Sequence, residues 1–151
     1  MKADRKILVI SFALLATPLL AAPQDAIATR TSGYRTMGAA YKSVNDQLRS
    51  GNLDKASLQA AAARIQATAK AQYGWFPKGS GPEAGVKTAA RPEIWTQPAQ
   101  FKAAQDGFAT QAAAFAKAVA SGNTATLAAQ TKQLGAACSA CHRAFRSDVK
   151  G

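Results

Sequence analysis

The chain has 151 residues, with 19 Lys and Arg against 8 Asp and Glu and a formal net charge of +11, a length that fits one domain. Hydrophobic residues make up 48%, and there are two cysteines and one histidine. These counts exclude a long disordered chain, a zinc finger or four-cysteine metal site, a disulfide-dense scaffold and a group held between two histidines. Alanine runs such as Ala60–Ala63 and Ala112–Ala114 favour helix, and long alternating Val/Ile/Thr stretches are absent, so an all-α fold is expected.

Lys2, Arg5 and Lys6 form a positive N-terminal patch, followed by an apolar stretch from Ile7 to Leu20 and the small residues Ala21 and Ala22. That is the layout of a secretory signal peptide. The stretch is short for a membrane span, which needs about 20 apolar residues; an uncleaved anchor is the alternative. Pro23 blurs the cleavage site, which falls between Ala21 and Ala28, near Gln24. We set the boundary at 1–22 signal peptide and 23–151 mature domain. Removing residues 1–22 takes away three basic residues and one acidic residue, lowering the net charge from +11 to +9. The mature protein is expected to be soluble, exported to the periplasm and without stable membrane insertion. Its basic residues spread from Arg30 to Lys150 without a dense cluster. A solvated surface biased toward acidic partners is therefore expected, not nucleic-acid binding.

Four helices can be read in chain order. Ile27, Tyr34, Met37, Tyr41, Val44 and Leu48 share one helical face, ended by Ser50-Gly51-Asn52. Asp54 is an N-cap for a second helix with Leu58, Ala61, Ile65 and Ala69 on its stripe, running out near Gln72. Residues 73–97 carry Gly74, Pro77, Gly79, Gly81, Pro82, Gly85 and Pro92 and are expected to be irregular. Pro98 can open a third helix with Phe101, Gln105, Phe108, Ala112, Phe115 and Val119 on one stripe, ended by Ser121-Gly122. Asn123 or Thr124 caps a fourth, carrying Leu127, Leu134, Cys138, Cys141, Phe145 and Val149. Each helix alone has too little surface to bury. Two short connections and one long one predict an antiparallel up-down-up-down four-helix bundle.

Cys138-Ser139-Ala140-Cys141-His142 is the C-x-x-C-H pattern of covalent c-type haem attachment. Each sulfur can bond one vinyl-derived carbon of the porphyrin, and the histidine that follows is a suitable axial iron ligand. A Cys138–Cys141 disulfide and a thioredoxin-like redox pair are the alternatives. The redox pair normally opens a helix after a strand, whereas this motif lies late in a helix. His142 is the chain's only histidine, so it is the proximal ligand or there is none. For the sixth position, Tyr34 and Met37 lie one turn apart on one face, and only one of them can stand over the iron. Both can also be ordinary core residues.

The haem motif at the C-terminal end of a four-helix pattern resembles the class II cytochromes c, most closely the cytochrome c′ family. Pro92-Glu93-Ile94-Trp95 resembles the family's P-x-I-W segment, and Phe76-Pro77 followed by Gly79 resembles its F-P-x-G turn. Arg30 followed by Tyr34, Met37 and Gly38 resembles its N-terminal distal pattern. The resemblance covers about residues 25–148. It implies one covalent haem c on Cys138 and Cys141, with His142 as axial ligand and Arg30, Tyr34, Met37, Trp95, Phe145 and Arg146 as haem contacts. In particular, it implies Arg30 near a propionate, Tyr34 at the distal place, Trp95 packed by the haem and Arg146 beside the proximal face. Family members also often form homodimers through their first two helices. Low-spin members carry Met at the distal place, where this chain has Tyr. That favours a five-coordinate haem binding NO and CO, with a redox role; the alternative is a low-spin electron carrier with Met37 as sixth ligand, serving periplasmic redox proteins. A peroxidase-like enzyme would need a free acid–base group near the iron, and the sole histidine is already used.

Overall fold

The computed structural model describes residues 22–148. The expected signal peptide lies outside them apart from Ala22, as does Val149. Helix α1 spans Pro23–Ser50, α2 Lys55–Ala71, α3 Glu93–Thr96, α4 Pro98–Ser121 and α5 Thr124–Phe145. The four long helices α1, α2, α4 and α5 form the expected bundle, and α3 is a single turn in the long connection. Among the described residues there is one isolated antiparallel bridge, between Ala90 and Arg146, and no longer strand. No described helix is long and apolar enough to cross a membrane.

Local chemistry sets the helix ends. Gly51 and Gly122 adopt φ of 72° and 68°, the left-handed conformation that terminates α1 and α4 without strain on a Cβ. The Asp54 carboxylate accepts the Ser57 N–H at 2.7 Å. Asn123, rather than Thr124, caps α5 by accepting the Thr126 N–H at 2.8 Å. Pro23 and Pro98 sit in the first turns of α1 and α4, where the missing N–H has no partner to lose.

The helical stripes meet in one core. Val44, Ile65, Ala112, Phe115 and Leu134, one or two from each long helix, are almost inaccessible to water. Alanines 61, 62 and 69 fill the α2 side; their short side chains allow α2 to approach its neighbours closely. A second cluster, Ala90, Ile94, Phe101 and Phe145, lies at one end of the bundle, with Phe76, Trp95 and Cys141 packed against it.

Two expectations are corrected here. Residues 73–97 are more ordered than their glycines and prolines imply: 3₁₀ turns form at Gln72–Gly74 and Pro82–Ala84, followed by α3. Glycine and proline break long elements but tolerate single turns, and tertiary contacts from α1 hold this segment. The last helix also ends earlier than its periodicity suggests. The Arg91 N–H donates to the Phe145 carbonyl at 3.0 Å and the Ser147 N–H to that of Ala89 at 2.9 Å. This pairing draws Arg146 into an extended conformation, φ −122° and ψ 129°, so α5 stops at Phe145.

Candidate haem site

A cavity of about 470 Å³ opens between α1, α5 and the α2–α4 connection, within the range of ligand sites, about 300–1,000 Å³. Its wall includes Arg30, Tyr34 and Met37 from α1 and Cys138, Cys141, His142, Phe145 and Arg146 from the end of the chain. Residues more than a hundred positions apart in sequence thus face one space.

The α5 side carries the reactive groups. Cys138 and Cys141 are one turn apart, half-buried and free. Burial pushes both thiols above their usual range. His142 follows at the rim. Burial, then the nearby Arg146 charge, holds its imidazole below the usual value, which favours the neutral, ligating form. Arg146 lies beyond the helix, so it reaches the cavity from an extended cap and not as a helical neighbour of His142; its N–H still donates to the His142 carbonyl at 3.0 Å.

The α1 side carries the candidate distal groups. Met37 is buried, with 8% of its surface exposed. Tyr34 is half-buried, and its ring meets Trp75 edge-on with centroids 5.0 Å apart. Its hydroxyl donates to the Gln72 carboxamide oxygen at 3.2 Å. Burial raises the Tyr34 phenol far above its ordinary pKa; Cys141 adds to the shift and Arg30 opposes it.

Arg30 is 4% exposed. Its guanidinium donates to the Ser80 hydroxyl at 2.9 Å, the Ser80 carbonyl at 2.6 Å and the Thr88 hydroxyl at 2.7 Å, and lies 5.0 Å from the Phe76 ring centroid. Among the described residues, no carboxylate pairs with it. A buried cation satisfied only by neutral oxygens is one that an acidic group of a ligand could neutralise.

Trp95 does not reach the cavity wall. It stands behind Phe76, ring centroids 6.3 Å apart, and its indole N–H is shared between the Phe76 and Pro77 carbonyls at 3.2 Å each. It therefore buttresses a wall residue through that ring contact. Gln72, Phe76, Phe101 and Phe108 also line the cavity and were not singled out as site residues from sequence. The phenylalanines at 101 and 108 carried only a core signal, because one helical stripe serves both the core and the cavity. For Gln72, in the 3₁₀ turn that follows α2, the sequence holds no signal.

The donor set fits a c-type haem. Two thiols and an imidazole project from one helix end into a space walled by phenylalanines and a methionine, with a buried cation opposite. The sulfurs could take the two porphyrin carbons, His142 the iron, and Arg30 a propionate.

The family model for cytochrome c′ matches residues 25–146. The chain belongs to the cytochrome c′ family. It is 31% identical over 126 residues to a cytochrome c′ of Alcaligenes xylosoxydans xylosoxydans, covering 83% of this chain and 96% of that relative. The crystal structure of cytochrome c′ from Thermochromatium tepidum superposes with a TM-score of 0.78 at 30% identity, covering 83% of this chain and 97% of that one. A nitric oxide complex of a cytochrome c′ variant from Alcaligenes xylosoxidans matches with a TM-score of 0.77 at 27% identity, covering 85% and 98%. Family membership makes this a c-type haem protein.

Proposed function

We propose that the mature protein is a periplasmic cytochrome c′-like protein that binds NO and CO at a five-coordinate haem and has a redox role. Cys138 and Cys141 hold the haem and His142 is the axial ligand. The haem iron, when bound, supplies an axial position for small uncharged gases and a one-electron couple. The chain's own residues decide what reaches it. Phe76, Phe101, Phe108 and Met37 make the cavity apolar and disfavour charged ligands. Arg30 neutralises an acidic substituent of the porphyrin while anchoring the wall. Tyr34 fills the distal side.

The observation that carries this reading is Tyr34, positioned in the cavity by Gln72 and Trp75 and kept neutral by burial. A phenol so far from ionising is a poor iron ligand at neutral pH, and its bulky ring obstructs the sixth position. The nitric oxide complex of a structural relative supports the same reading.

Met37 favours a second reading, because it is buried and lines the same cavity. A thioether bound as sixth ligand would give a low-spin electron carrier, steered to acidic periplasmic partners by the basic surface.

One measurement tests the two. The absorption spectrum of the ferrous holoprotein at neutral pH should be high-spin and should change fully on adding CO. A low-spin spectrum indifferent to CO would overturn the gas-binding reading. Export is tested separately, by N-terminal sequencing of the periplasmic form, which should start between residues 22 and 28.

A further inference from the structure

We propose that Gln72 is the positioning residue that latches Tyr34 across the distal cavity, so that gas binding must break a specific hydrogen bond as well as displace a ring. This rests on the reading of Tyr34 as the distal residue and identifies what governs its movement.

Gln72 is 2% exposed, in the 3₁₀ turn that follows α2. Its carboxamide nitrogen donates to the Gln105 carbonyl at 3.3 Å and the Ala69 carbonyl at 3.4 Å. Those two acceptors fix which end of the amide is nitrogen, leaving the oxygen to accept from Tyr34 at 3.2 Å. Gln105, itself 5% exposed, returns the bond by donating from its own carboxamide to the Gln72 carbonyl at 3.2 Å. The two glutamines thus cross-link the end of α2 to α4 without any help from Tyr34. The latch stays on the frame when the phenol leaves it.

The geometry has a consequence for the ligand. Once Tyr34 swings away, the group Gln72 turns to the cavity is a bare carbonyl oxygen, since its N–H groups stay engaged. An acceptor offers no hydrogen bond to the terminal oxygen of a bound diatomic. The open cavity therefore binds CO without donor assistance, and the lost phenol bond counts fully against affinity.

The test is a double-mutant cycle read by CO affinity of the ferrous holoprotein, with Tyr34→Phe, Gln72→Met and both together. Each single change should tighten CO binding by about 2- to 12-fold, the range of one neutral hydrogen bond. The 3.2 Å length places the expectation at the lower end. The double variant should gain no more than either single one. The tyrosine ultraviolet band, taken as the difference from Tyr34→Phe, should shift to the blue in Gln72→Met, which a merely structural role would not produce.

An equal further gain from Gln72→Met in the Tyr34→Phe background overturns the latch, because Gln72 would then act without the phenol. Gln72→Met also removes the bonds to Ala69 and Gln105. If it does not fold, Tyr34→Phe decides alone, and unchanged CO affinity overturns the latch. Tyr34→Ala separates this from the underlying reading. If Tyr34→Ala speeds CO binding while Tyr34→Phe does nothing, only the latch is lost. If Tyr34→Ala also does nothing, Tyr34 is not in the ligand's path and the gas-binding reading falls with it.

Discussion

Arg30 and Ser80 are both buried, and the guanidinium donates to the serine hydroxyl at 2.9 Å and to its carbonyl at 2.6 Å. Fifty positions apart in sequence, they clamp the α2–α4 connection onto α1. That clamp positions Phe76, and so one wall of the cavity.

Replacing Arg30 with Met should therefore cost more than a surface arginine. It removes the charged donor from the Ser80 hydroxyl and carbonyl and from the Thr88 hydroxyl, which keeps only the Ala90 N–H at 3.1 Å, and hydrogen bonds to charged groups contribute about 1.5–3 kcal/mol each. Relief of the guanidinium's desolvation offsets part of that sum, so we expect a net loss of about 2–4 kcal/mol, measured by urea unfolding of the holoprotein. Arg30→Lys should recover little, because an ammonium lacks the planar fork that reaches Ser80 and Thr88 together. An unchanged urea midpoint for Arg30→Met would show that the clamp does not hold the loop.

Gly33 is a second constraint, acting on Tyr34 through Trp75. A Cβ placed there would collide with the Trp75 ring, and Trp75 is the ring that Tyr34 meets edge-on. Gly33→Ala should gain up to about 1 kcal/mol in helix propensity but lose about 1–3 kcal/mol to overpacking. The indole must tilt to make room, which frees Tyr34. The expected outcome is a net loss of stability, altered Trp75 fluorescence and faster CO association. Unchanged tryptophan emission would mean that the indole does not rest on Gly33.

Much of this was legible in the sequence, and the reason is periodicity. The stripe Phe101, Gln105, Phe108, Ala112, Phe115 and Val119 is buried at every position, because a helix with one apolar face has only one way to pack it. Asp54 and Gly51 likewise mark their helix ends by local chemistry. Contacts made between distant segments were not legible. The pairing of Arg91 with Phe145 ends α5 early, and no pattern near Phe145 announces it. The Arg30 clamp joins α1 to a connection whose glycines and prolines point only to irregular structure. Gln72 reads as an ordinary polar residue, because its significance lies in Gln105 and Tyr34, each more than thirty positions away. The C-x-x-C-H motif is legible because its spacing is chemical: two sulfurs and an imidazole at that spacing would suit one rigid porphyrin.

Attachment is checked by mass. The mature protein should be heavier than its chain by one haem, and acid–acetone should not extract the colour. Cys138→Ser should leave haem on a single thioether or give apoprotein. A mass equal to the bare chain in the wild type would end the haem assignment for Cys138 and Cys141.

Tyr34 gives a pH dependence with a definite sign. Burial raises its phenol above the ordinary value of 10.0 in the folded chain, so the unfolded chain ionises first as pH rises. Its contribution to stability is whole below about pH 10 and is lost progressively above it, toward the raised folded value. Urea unfolding of the holoprotein should show stability falling above that pH, and falling less steeply in Tyr34→Phe. Tyr73 is also raised, by donating to Asp106, but it is present in both proteins, so their difference isolates Tyr34. Equal alkaline slopes would mean that Tyr34 meets water in the folded state.

The choice between gas binder and electron carrier turns on Met37. Its side chain packs in the same cluster as Phe108, Phe115 and Leu134, so Met37→Ala should cost about 2–5 kcal/mol through the cavity it leaves. Tyr34 shares its helical face, and its phenol is tied to Gln72 on the frame that joins α2 to α4. For the thioether to serve as sixth ligand, Tyr34 would have to give up that bond and yield the distal side permanently. The preferred arrangement therefore keeps Met37 in the core. Met37→Ala should lower the unfolding midpoint and leave a high-spin ferrous spectrum nearly unchanged. Tyr34→Ala should keep the high-spin state and speed CO binding. A wild-type spectrum that is low-spin and becomes high-spin in Met37→Ala would assign the sixth position to the thioether and make electron transfer the better reading.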